Sequence, residues 1–139
     1  MLTPEHFNNF GAENLPGHLG IVITYVGTDE VRSELLIKTS LMAPNGFLHA
    51  GTLVTIADTS SGYGCVANLP GGAAGFTTIE LKTNFLGTAR EGTLECVAKA
   101  VHLGRTTQVW DAVVSHRESG KILALFRCTQ MVLYAKQGG

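Results

Sequence analysis

Charge is scarce in this chain, and what there is nearly cancels. Asp, Glu, Lys and Arg make up 15% of 139 residues, where a soluble domain carries about 25%. Ten Lys+Arg against eleven Asp+Glu leave a formal net charge of −1. Without a basic excess to neutralise a run of phosphates, nucleic acid is excluded as the expected partner. Low surface repulsion is compatible with self-association. Cysteine is also sparse: Cys65, Cys96 and Cys128 are odd in number, far apart, and form no CxxC pair. This argues against a disulfide framework or a zinc site. No apolar run reaches 18 residues, and Met-Leu-Thr-Pro-Glu-His at the start has no basic n-region, so neither a membrane partner nor a signal peptide is expected. The expected localisation is cytoplasmic. Five histidines (6, 18, 49, 102 and 116) make no HExxH or close pair, and neither a P-loop nor a GxSxG elbow occurs. No metal and no cofactor are therefore expected.

Apolar residues are plentiful at 45%, enough for a core, and the length suits one domain over residues 1–139. Glycine is abundant, with 17 residues and no period. Residues 3–14 read as a short helix, with Thr3 as cap and Pro4 at the first helical position, ended by Leu15-Pro16-Gly17. Leu19–Val26 and Glu30–Thr39 read as a hairpin about Gly27-Thr28-Asp29, with Val31, Ser33, Leu35 and Ile37 on one face. Thr77–Leu86, Thr93–His102, Thr106–His116 and Lys121–Leu133 read as four strands. Short glycine-containing connections suggest an antiparallel meander.

Between these strand groups, residues 39–79 hold a single formal charge, Asp58, where the chain's average gives about six. Within that stretch His49–Val66 has helical spacing and many small residues, which predicts a helix buried close against a concave sheet. The order predicts an α+β fold, a curved antiparallel sheet around a central helix. A GxGxxA match at Gly62–Ala67 lies inside this helix, the wrong context for a dinucleotide loop, and close packing accounts for its glycines.

A carboxylate in such a helix costs several kcal/mol unless it is satisfied. Asp58 is then either bonded to backbone or threonine hydroxyls, or placed as a general base or nucleophile. Just upstream, Asn45-Gly46-Phe47-Leu48-His49-Ala50-Gly51 turns into the helix start. The unpaired N–H groups there suit a developing oxyanion.

The segment from Gly46 through Gly51, followed by Asp58-Thr59, resembles the signature of hotdog-fold acyl-CoA thioesterases. Within them it is most similar to the PaaI-like (phenylacetate-pathway) branch, and the element order matches over nearly the whole chain. The resemblance implies Asp58 as catalytic carboxylate, the Ala50 N–H as oxyanion contact with His49 beside it, and Thr78 as a hydroxyl orienting water. It places Gly104-Arg105-Thr106 near the CoA phosphates, assisted by Arg90. Gly51, Phe47 and Tyr63 are candidate substrate contacts, and Phe47, Leu48, Ile56, Tyr63, Phe76 and Phe85 are candidate pocket walls. Where the family often has Asn or Gln six residues before the histidine, this chain has Ala43; Asn45 is the nearest substitute. The implied substrate is an aryl- or medium-chain acyl-CoA, and the implied assembly is a homodimer with shared sites, a dimer of dimers. A hotdog acyl-CoA or acyl-carrier-protein dehydratase, and a non-catalytic acyl-CoA-binding module, remain open as alternatives at this point.

Overall fold

A computed structural model of the chain describes residues 2–136. Thr3 caps α1 (Pro4–Phe10), its Oγ1 accepting the His6 N–H at 3.1 Å. The helix expected over 3–14 stops early, at Gly11, which lies against the Tyr63 hydroxyl with no room for a Cβ. Leu15-Pro16-Gly17 does not terminate a helix but starts one, α2 (Leu15–Leu19). Proline is harmless in a first turn, where the missing N–H has no partner anyway, and Gly20 ends α2 at φ 92°.

Because α2 claims Leu19, the first hairpin is shorter than expected: β1 (Val22–Val26) and β2 (Glu30–Leu36), closed by Gly27 N–H to Glu30 O at 2.8 Å. Val31, Ser33, Leu35 and Ile37 are buried as the alternation predicts. The central helix is α3 (Ala50–Ala67), capped by His49. Then come β3 (Ala73–Phe85), β4 (Thr93–Leu103), β5 (Thr107–His116) and β6 (Ile122–Tyr134).

All six strands form one antiparallel sheet in the order β1-β2-β4-β5-β6-β3, the hotdog arrangement. This corrects the four-strand meander. Only β4, β5 and β6 meander; β3 pairs with β6, at the far edge from β2. The glycine-containing segment 86–92 is a crossing rather than a hairpin turn. It leaves β3 with Leu86 and Gly87 N–H groups on Leu123 O, and enters β4 with Gly92 O accepting the Ile37 N–H at 2.9 Å beside β2.

The small residues of α3 let it lie almost on the sheet. A Cβ built on Gly64 would stand 2.5 Å from Trp110 Cη2, and one on Gly62 would stand 3.1 Å from Phe76 Cζ. Trp110 is fully buried, and its Nε1–H donates to Gln108 Oε1 at 2.8 Å. Gln108 Nε2 in turn donates to Asn68 O at 2.9 Å, tying the end of α3 to β5. The GxGxxA glycines are thus contact points between helix and sheet. The expectation of a helix buried on all sides needs correcting: Val54, Thr55, Asp58, Thr59, Tyr63 and Val66 are only half-buried, because the sheet covers one flank alone. The edge strand β3 is likewise open along most of its thirteen residues, with Ile79, Leu81 and Phe85 exposed. Among the described residues no helix is long and apolar enough to cross a membrane.

Candidate active site

Asp58 lies at the middle of α3, on the flank turned to β6, where its charge reaches the Cys128 thiol. Its Oδ1 is buried and has no hydrogen-bond partner among the described residues, so bonding to backbone or threonine hydroxyls does not account for that oxygen. Burial alone raises the carboxyl above its ordinary 3.8. An underpartnered, desolvated carboxylate is a stronger base than one in water.

The loop before α3 is built by its own backbone and short side chains. Gly46 takes φ 86°, a left-handed conformation that favours glycine. Asn45 Oδ1 accepts the Phe47 N–H at 3.1 Å, and Ala43 N–H donates to Phe47 O at 2.7 Å. Thr88 Oγ1 accepts the Leu48 N–H at 2.9 Å, anchoring the loop to the β3–β4 crossing. Asn45 therefore spends its side-chain oxygen on the turn itself. His49 Nδ1 accepts the Gly51 N–H at 2.8 Å, which puts the proton of the neutral ring on Nε2. With Gly51 taken by the cap, the N–H of the exposed Ala50 has no partner among the described residues and stands as a first-turn donor at the positive end of an 18-residue helix.

Next to Ala50 opens an apolar cleft of about 490 Å³, lined by Phe47, Leu48, Ala50, Leu53, Phe85 and Leu86 among others. Of the six expected pocket walls, Phe47, Leu48 and Phe85 line it. Ile56 is core, Phe76 lies against Gly62, and Tyr63 stacks on Phe7 of α1 with ring centroids 4.4 Å apart. Arg90 lies over the Phe47 ring, 6.0 Å from its centroid, near this cleft.

Other expected partners lie apart. Asp58 is eight residues beyond Ala50, about 12 Å along the helix axis, so the two cannot reach one carbonyl from a single chain. Gly104, Arg105 and Thr106 form the β4–β5 turn, where the Tyr134 hydroxyl donates to Arg105 O. Arg90 precedes β4 and Arg105 follows it. Eleven strand residues separate them, about 35 Å, so within one chain Arg90 cannot assist Arg105 at the same phosphates. Thr78 pairs directly with the buried Gln130 of β6 and so shares the face turned to α3.

Three polar residues on this side escaped the sequence reading: Ser61 on α3, Thr83 on β3 and Gln130 on β6. Each has a buried side-chain polar atom without a partner. Among the described residues no group of His, Cys, Asp and Glu is placed to hold a metal ion. The three thiols are free and buried, and burial pushes each up to about 12.

The family model described as "Thioesterase superfamily" matches residues 45–123, which span the loop, α3, β3 to β5 and the start of β6. A 1,4-dihydroxy-2-naphthoyl-CoA hydrolase of Escherichia coli is 30% identical over 135 residues, covering 95% of this chain and 96% of the relative. The proofreading thioesterase EntH of Cronobacter sakazakii is 26% identical, covering 95% of each. The crystal structure of a thioesterase from Haemophilus influenzae superimposes with a TM-score of 0.90 at 27% identity, covering 99% of this chain and 94% of that one.

Proposed function

Since the chain belongs to the thioesterase superfamily and is a thioester hydrolase, we propose that it cleaves an aryl- or medium-chain acyl-CoA to the free acid and CoA. The observation that carries this reading is the pairing of two features at the family's spacing: the desolvated Asp58 carboxylate and the free Ala50 N–H at the start of α3. In the reaction, the thioester carbonyl oxygen takes the Ala50 N–H. As the carbonyl carbon becomes tetrahedral, the oxygen gains charge where the helix terminus favours it. Asp58 either takes a proton from the attacking water or adds to the carbonyl itself. Collapse then expels CoA as a thiolate; where Asp58 itself has added, the acyl–Asp58 anhydride left behind is hydrolysed by a water, which releases the free acid and restores the carboxylate. His49, with Nδ1 committed to Gly51, holds the loop and keeps an Nε2–H facing outward for the substrate.

The 12 Å between Ala50 and Asp58 supports a site shared by two subunits, Asp58 from one and His49–Ala50 from the other. The open flank of α3 and the open edge of β3 support the same assembly, because an uncovered long strand edge invites pairing with a second copy. A dimer of dimers extends this. The acyl group we assign to the cleft beside Ala50, whose Phe47 and Phe85 suit an aromatic ring. The relatives' names, a naphthoyl-CoA hydrolase among them, support an aryl substrate. Arg90 and Arg105 serve separate parts of the substrate or separate sites.

The test is free-thiol release by purified protein over a panel of aryl- and alkyl-CoA thioesters, beside Asp58→Ala. Turnover that is lost with Asp58 in a folded variant is the expected result. A folded wild-type protein that releases no thiol from any of them rejects the reading.

A further inference from the structure

Buried polar side-chain atoms without partners are uncommon in folded chains, and each one asks for an explanation. Here five are found among the described residues: Asp58 Oδ1, Ser61 Oγ, Thr83 Oγ1, and both amide atoms of Gln130. They are not scattered. Asp58 and Ser61 are on the flank of α3 that meets Cys128, while Thr83 and Gln130 are on β3 and β6, the strands that flank meets. Strand register confirms the direction. Thr83 is paired with the buried Phe126, and Gln130 sits two residues beyond the buried Cys128, so both point inward toward the helix. Elsewhere among the described residues the buried polar side chains are satisfied: Ser33 bonds Ser60 at 2.7 Å, and Gln108 uses both ends of its amide. The contrast with Gln108, directly opposite Gln130 in the sheet, is the sharpest.

Five hydrogen-bonding atoms along one seam, beginning at the reacting carboxylate, form the lining that internal water requires: polar, with several partners in reach. We propose that the seam between α3 and the β3–β6 pair holds internal water against Asp58, and that Gln130 and Thr83 are positioning residues which anchor it. This rests on the thioesterase reading for its effect on rate, but not for its effect on Asp58 itself. The water would solvate the carboxylate from its inner side and keep it ionised near neutral pH despite its burial, ready to act on the outer side. No charged residue competes for that part. The titratable group turned to Asp58 from the described elements packed on it is the Cys128 thiol of β6, which has the Cys65 thiol of α3 near it, and burial holds both thiols neutral. By the register alternation Glu80 and Lys82 of β3 and Arg127 of β6 occupy the opposite face of the sheet. In the shared site, His49 of the second subunit is the remaining titratable neighbour.

The experiment is the carboxyl titration of Asp58 followed by carbon NMR in the resting protein, for wild type, Gln130→Met and Gln108→Met. Methionine keeps the volume of glutamine and removes its amide. The expected result for Gln130→Met is an upward shift of the Asp58 midpoint, beyond its already raised position. Turnover is expected to fall about tenfold in kcat, what one hydrogen bond at the reacting group is worth, with KM held. Gln108→Met should lower the melting temperature through its two lost bonds while the Asp58 midpoint stays put. Should Gln130→Met fail to fold, Thr83→Val carries the same expectation from the other strand. A folded Gln130→Met or Thr83→Val protein whose Asp58 midpoint is unmoved overturns the proposal. Absence of thiol release from the wild type would instead reject the thioesterase reading and leave this titration decisive on its own.

Discussion

Replacing Gly64 by alanine sets two effects of opposite sign against each other, and the geometry decides between them. In an exposed helix the change is favourable by about 1 kcal/mol, because alanine loses less backbone freedom on folding. At Gly64 the new methyl would stand 2.5, 2.6 and 3.0 Å from Trp110 Cη2, Cζ3 and Cζ2. Carbon atoms settle at about 3.5–4.0 Å, so the indole or the helix must retreat by about 1 Å. The indole has no space behind it, being fully buried, and its Nε1–H is committed to Gln108. Moving it strains that bond and, through Gln108, the one to Asn68 O at the end of α3. Overpacking of this kind costs about 1–3 kcal/mol, and each weakened hydrogen bond about 1 more. After subtracting the helix gain, Gly64→Ala should destabilise by about 2–4 kcal/mol, a fall of about 7–14 °C in melting temperature. Thermal unfolding followed by far-ultraviolet circular dichroism, alongside Gly62→Ala, reads this directly. The Gly62 control meets only the tip of Phe76 at 3.1 Å, a half-buried ring that can tilt, so its loss should be smaller. A Gly64→Ala protein as stable as wild type, or more so, would show that helix and sheet are not in the close register described.

Further outcomes concern the site and its assembly. Asp58→Asn should lose between about 10² and 10⁴ in kcat, the range for removing a general base, without loss of melting temperature. Wild-type activity should fall as pH drops through the raised Asp58 value. Because folding raises that value above 3.8, the ionised carboxylate disfavours the folded state, fully so above the folded value. Stability relative to Asp58→Asn should therefore increase as pH falls through the same window, which denaturant titrations at several pH values would register. Ile79→Lys, on the open edge strand, should give a monomer by sedimentation velocity with little thiol release; an active monomer would refute the shared site. Arg90→Ala should raise KM about fivefold for acyl-CoA and leave the matching acyl-pantetheine thioester unaffected, with equal changes for both arguing against a phosphate contact.

What the sequence disclosed of this molecule, and what it withheld, divide along the range of the interactions. α3 was legible almost to the residue, because its start is written locally: Gly46 turns the loop, His49 caps, and small residues follow at helical spacing. Asp58 stood out for a similarly simple reason, being the only charge in a 41-residue stretch. The path of β3 was not legible. Its glycine-containing exit looks like any hairpin turn, and nothing in residues 86–92 states that their hydrogen bonds go to Leu123 on one side and to Ile37 on the other. Partner choice in a sheet is settled by long-range burial, not by the turn. Leu15-Pro16-Gly17 misled because the same residues that stop one helix also start another, and Asn14 before them was the quieter signal.

The seam beside Asp58 was hidden for a different reason. Along β6 apolar residues fall on both faces, since Leu123, Ala124 and Phe126 are buried while Ile122, Leu125 and Met131 are exposed. Alternation therefore assigns no inward parity, and Gln130 reads as an ordinary outward polar residue. Gln108 has the same disguise but a different fate: its amide bonds Trp110 and Asn68 and is accounted for by packing alone. Two glutamines opposite one another in the sheet thus separate a structural amide from one left over, and only the second lies on β6, the strand to which Asp58 is turned. Among the described residues the buried side-chain polar atoms left unpaired all lie along this one seam, and on the proposed reading that polarity sits where hydrolysis needs it. That is why Gln130, more than any exposed cation, is the residue whose replacement best distinguishes a catalytic pocket from a packed interior.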